Sequence, residues 1–128
     1  MALSTDDRLA IQELYARYNH AIDSGDSEAW AGCFTADGIF ESGRGSFRGS
    51  EQLIAFAQGF AERTKARHWT NNLILDETPE GVAGKCYLML YRLGEGAPDI
   101  MATGLYEDTL TQAAEGWRFV SRTVITDV

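Results

Sequence analysis

The chain has 128 residues, 45% of them hydrophobic and only two of them proline, which suits one folded domain spanning residues 1–128 and excludes a disordered segment. Nineteen acidic against eleven basic residues leave a formal charge of −8, which argues against nucleic acid or an anionic membrane surface as a partner, since both need a basic face. No apolar run approaches the roughly 20 residues of a membrane span, and the start Met1-Ala2-Leu3-Ser4-Thr5-Asp6-Asp7 lacks a basic and apolar leader, so a cytoplasmic protein is expected.

The first predicted element is a helix. Ser4 or Thr5 caps it, Asp6 and Asp7 suit its positive end, and Ile11, Leu14, Tyr15, Tyr18 and Ile22 recur at helical spacing as one apolar stripe. His20 falls opposite that stripe and faces solvent, whereas Asp23 lies on its flank in the last turn before the terminating Gly25. Asp26 or Ser27 caps a short second helix through Trp30 to Phe34, with Cys33 at its apolar end. Asp37-Gly38 reads as a turn, Ile39-Phe40-Glu41 and Ser46-Phe47-Arg48 as short strands. Ser50 caps a third helix whose buried face is Leu53, Phe56, Ala57 and Phe60.

Four strands complete the chain: His68 to Asp76, Val82 to Leu93, Ile100 to Gln112 and Trp117 to Thr126, joined by short glycine-bearing turns as antiparallel hairpins require. Helices first and a meander after is an α+β pattern, with helices packed on one face of a curved antiparallel sheet. The second of these strands is apolar on both faces, Val82, Cys86, Leu88 and Leu90 against Tyr87, Met89 and Tyr91. That favours a rolled sheet or a sheet-to-sheet homodimer or homotrimer.

Several local patterns, taken in order, resemble one family. Leu14-Tyr15-x-x-Tyr18, Ala21-Ile22-Asp23-Ser24-Gly25-Asp26 and Trp30-x-x-x-Phe34-x-x-Asp37-Gly38 are similar to the opening of a SnoaL-like domain. Gly104-x-Tyr106-x-Asp108 and Gly116-Trp117-Arg118-Phe119-x-x-Arg122 are similar to its ending. The resemblance implies the nuclear transport factor 2-like superfamily: a cone-shaped curved sheet, cystatin-like, with three N-terminal helices closing a pocket. That superfamily hosts dehydratases, isomerases, cyclases, epoxide hydrolases and binding proteins, so the fold does not fix an activity. The nearest pattern is that of scytalone dehydratase and hexachlorocyclohexane dehydrochlorinase, which pair an aspartate near the end of helix 1 with a histidine after helix 3. Asp23 and His68 stand at those positions, and Ser42 stands where a ketosteroid isomerase carries its aspartate base.

The chemistry of the pair stands apart from the resemblance. A neutral imidazole acts as a base through one nitrogen when a carboxylate holds the other N–H and stabilises the imidazolium that forms. His68 is therefore expected as general base and Asp23 as its orienting partner. Tyr18, one turn before Asp23, and Asn72, sharing strand parity with His68 and Thr70, are expected substrate contacts. Arg122 is expected to bind a carboxylate or carbonyl, or to pair with Asp108. Trp30, Phe34, Phe56 and Phe60 are core or pocket wall, and such walls fit a small apolar cyclic or aromatic substrate. Cys33 and Cys86 have no metal-ligand spacing, and Gly43, Gly45 and Gly49 match no phosphate-loop spacing, so no metal and no cofactor is expected. The reading is a lyase or isomerase of the elimination type. Its rivals are a non-catalytic small-molecule binding protein and a structural subunit resembling the small subunit of ring-hydroxylating dioxygenases.

Overall fold

The computed structural model describes residues 2–128. Helix α1, Thr5–Ser24, opens with a reciprocal capping box: Ser4 Oγ accepts from the Asp7 amide at 3.0 Å and Asp7 Oδ2 accepts from the Ser4 amide at 3.1 Å. It ends at Gly25, whose φ of 78° is the left-handed conformation that a residue without Cβ adopts freely. Helix α2, Ser27–Ala31, is capped by Asp26 Oδ1 on the Ala29 amide. Helix α3, Gly49–Arg63, is capped two residues earlier than the expected Ser50. Arg48 is its N-cap, and Gln52 Oε1 takes the Arg48 amide. Among the described residues no helix is long and apolar enough to cross a membrane.

Six strands form one sheet in the order β2-β1-β6-β5-β4-β3. They are β1 Phe34–Ser42, β2 Gly45–Arg48, β3 Ala66–Thr78, β4 Gly81–Arg92, β5 Asp99–Ala113 and β6 Gly116–Thr126. The meander β3 to β6 is antiparallel as expected. The two early strands extend it past β6, where β1 runs parallel to β6 and β2 pairs with β1 as a hairpin. Two sequence readings are corrected here. Phe34 begins β1 rather than ending α2, and Cys33 lies in the turn between them. Asp37-Gly38 lies inside β1, where the register with β6 slips between Phe34 and Ile39; the irregularity is a bend within the strand and not its end.

The sheet curls around the helices, so alternate residues divide between a core and an outer face. Val82, Cys86, Leu88 and Leu90 of β4 point inward and are buried, and Tyr106 and Leu110 of β5 and Phe119 of β6 join them under Ile11, Tyr15 and Tyr18 of α1. Trp69, Tyr87 and Ile100 stand on the outer face, each more than half exposed. This is an α+β fold with a curved sheet and N-terminal helices, as the residue pattern implied.

Candidate functional site

The mouth of the curl is set where the last turn of α1 meets the first residues of β3. Asp23 sits there, at the helix end where the backbone dipole disfavours a carboxylate and no basic residue shares the turn. Its compensation comes from across the gap. Oδ1 lies 2.6 Å from His68 Nδ1, and the His68 main-chain N–H donates to both carboxylate oxygens at 3.1 Å. Arg67 Nε is 4.0 Å from Oδ2, but that side chain is 59% exposed, so the contact contributes little. Asp23 and His68 side chains are only 13% and 8% exposed. An ionised carboxylate can only accept, so Nδ1 is the donor of that bond, and in the neutral imidazole Nε2 then keeps the lone pair.

His68 lines a cavity of about 280 Å³ inside the curl. Its walls include Tyr18, Trp30, Phe40, Phe56, Phe60 and Leu88, and the Phe60 ring lies 5.6 Å from the imidazole. That volume suits a ligand of one or two rings. A larger hollow of about 760 Å³ runs along the outside of α1, and Asp23 and His68 line it too. The rest of its lining is mainly polar, with Asn19, His20, Arg67 and Thr70, so it is the poorer place for a proton transfer that must exclude water.

Beneath the cavity floor lies a buried charge. Arg122 is fully buried, its Nε 3.0 Å from Asp108 Oδ1, and its guanidinium carbon stands 3.4 Å from the Tyr106 ring centroid and 4.3 Å from that of Tyr18. The ion pair is close but off-line: neither atom has hydrogen-bond geometry, and Arg122 Nη1 has no acceptor. The Tyr15 hydroxyl donates to the other Asp108 oxygen. Burial pushes the Asp108 carboxyl up, and the guanidinium beside it pulls the other way. Burial also pushes the Tyr18 hydroxyl up to about 12, against the pull of Arg122, so at neutral pH it remains a donor. Trp30 Nε1 is a buried donor with no acceptor. Burial raises both cysteine thiols to about 11, which leaves them unreactive core groups.

The expected site residues therefore divide. Asp23, His68 and Tyr18 come together, and Trp30, Phe56 and Phe60 form the wall. Phe34 is not on the wall; it packs behind it, against Tyr18, Trp30 and Phe119. Arg122 lies under the floor with Asp108 and does not reach the cavity. Asn72 is exposed and faces away. A bulge between Asn71 and Ile74 sets Asn72 at φ 58°, so the parity of His68 and Thr70 ends before it and Leu73 and Leu75 take over the inner face. Ser42 lines the cavity and its neighbour Glu41 is exposed. Tyr106, Arg44 and Arg63 also line the cavity, and no role was read for them from the sequence. For Tyr106 the signal was its place in the two-residue alternation Tyr106, Asp108, Leu110 along β5. Asn19, also unremarked, donates to Thr70 Oγ1 at 3.0 Å and ties α1 to β3 beside the pair.

A helix-lined curl of mainly antiparallel sheet with an apolar interior is the cystatin-like, NTF2-like class of α+β protein. Within it the chain belongs to the SnoaL-like domain family, which matches residues 4–123. It is similar to the structure of Rv3472, a protein of unknown function from Mycobacterium tuberculosis. The two are 31% identical with a TM-score of 0.88, over 99% of this chain and 78% of that one. A Catenulispora acidiphila protein in complex with S-DNPA is 28% identical with a TM-score of 0.88, over 97% and 96% of the two chains. An NTF2-like protein with a cystatin-like fold from Novosphingobium aromaticivorans, 24% identical with a TM-score of 0.86 over 95% and 82%, supports the fold alone. A search of the curated proteins finds no significant match.

Proposed function

We propose that the protein is a lyase or isomerase of the elimination type, needing no cofactor, that acts on a small apolar cyclic substrate, in the manner of the dehydratase and dehydrochlorinase branch of the superfamily. The observation that carries this is the 2.6 Å contact between His68 Nδ1 and Asp23 Oδ1, with His68 on the wall of a cavity lined largely by aromatic and aliphatic side chains. With Nδ1–H held by the carboxylate, Nε2 takes a proton from a substrate carbon. The C–H electron pair becomes the new double bond, and the leaving group departs with its own pair from the neighbouring carbon. The imidazolium is stabilised by Asp23. The Tyr18 hydroxyl and the unpartnered Trp30 N–H supply donors for a carbonyl or leaving-group oxygen. Return of the proton at another carbon would make the same site an isomerase. The reading includes assembly as a homodimer or homotrimer through the outer sheet face.

The test is a panel of cyclic hydroxyketones and halogenated or hydroxylated alicyclics, followed by absorbance of the conjugated product. His68→Ala should lower turnover by about 10³-fold or more, and Asp23→Asn by about 10²-fold or more, with the fold retained. Equal turnover in His68→Ala would sink the mechanism. Binding without turnover in the parent protein, unchanged in His68→Ala, would mean a binding protein instead.

A further inference from the structure

The cavity that holds His68 has a charge pattern opposite to that of the molecule. The chain carries a formal charge of −8, yet no aspartate or glutamate lines this cavity, and its only fully charged lining groups are Arg44 and Arg63. Arg44 comes from the turn between β1 and β2, and Arg63 is the last residue of α3. Both side chains are exposed, which places them at the rim rather than within the apolar walls. Both also line an adjoining hollow of about 560 Å³ alongside Ser46 and Gln52. Among the described residues neither forms an ion pair, whereas Arg17, Arg67, Arg92 and Arg122 each have a carboxylate within 4.0 Å. The Arg63 guanidinium lies back over Gly59, where an added Cβ would stand 2.9 Å from Nη1.

We infer that the ligand of this cavity is an organic acid: a body of one or two apolar rings inside, and a carboxylate arm held at the mouth by Arg44 and Arg63. The inference rests on the proposed reaction only for the choice of cavity, and it adds the charge of the substrate. A planar guanidinium matches a carboxylate in two parallel hydrogen bonds, and two such groups at one mouth draw an anion through the acidic field of the rest of the surface. The apolar walls then select the ring system and the rim selects the acid.

Binding of 2-naphthylacetate and of its neutral amide, measured by calorimetry on the intact protein at low and raised salt, separates the cases. The acid should bind about tenfold more tightly than the amide at low salt, and the advantage should shrink as salt is raised. The double variant Arg44→Gln/Arg63→Gln should lose the advantage and keep the affinity for the amide. Equal binding of acid and amide, or an advantage that survives the double variant, overturns the inference and leaves the proposed reaction standing. Failure of both compounds to bind overturns the cavity as a ligand site, and the proposed reaction falls with it.

Discussion

Arg122 is a fully buried cation. Four aromatic rings, of Tyr15, Tyr18, Tyr106 and Phe119, lie with centroids 3.4 to 4.9 Å from its guanidinium carbon, and one carboxylate balances it. Taking both charges out of water costs nearly as much as their attraction returns, so the intact pair adds little net stability. Breaking it is different, because Asp108 would then be buried beside a lone phenol. Arg122→Met should destabilise the fold by about 3–5 kcal/mol in urea denaturation, and Arg122→Met/Asp108→Leu should recover part of that loss. A loss below about 1 kcal/mol in the single variant would mean that water reaches Asp108. The pairing of Asp108 with Arg122 was readable from the sequence as the simpler of two accounts. That it sits beneath Tyr18 and Tyr106 was not, because only the curl of the sheet brings β6 under α1.

At the scale of elements, the start of α1 and the course of β3 show two kinds of legibility. The capping box is local chemistry, and the serine and the aspartates were visible as such. Ser4→Ala should cost about 1 kcal/mol at neutral pH, read as a lower midpoint in thermal unfolding. The Ser4 hydrogen bonds hold the Asp7 carboxyl below its ordinary value, so that part of the stability is present above the ordinary value and drains away as pH falls through the lowered one. The gap between parent and variant should therefore narrow in acid. The β3 bulge is not local chemistry. His68 and Thr70 face inward on even positions and Leu73 and Leu75 on odd ones. That conflict of parity could have announced an extra residue, but a reading with a single period carries Asn72 onto the wrong face. Asp37-Gly38 misleads in the reverse sense. Its composition signals a turn, but the approach of Gly38 to the Phe34 side chain, within 2.7 Å of an added Cβ, keeps it as a bend within β1.

For the whole molecule, the inner face of the sheet is accounted for by the helices and the cavity, while the outer face is not. Trp69, Tyr87, Ile100 and Ile74 are 60%, 58%, 55% and 51% exposed on one surface. Covering such a surface with a second copy would remove several hundred Å² of apolar area from water. Sedimentation should show more than one copy at micromolar concentration, and Trp69→Lys/Tyr87→Lys should yield a monomer; a monomeric parent would remove this part of the proposal. The pairing of β1 with β6 has a consequence of another kind. The first strand in the chain is bonded in parallel to β6, Phe40 against Arg122, so β1 cannot be seated until β6 has been made. During synthesis, α1 through β2 wait with no completed sheet to join, and the floor under Tyr18 arrives only with β6. The chain's early strands depend on β6, and the interval before β6 is made is the time when such a chain is most exposed to aggregation.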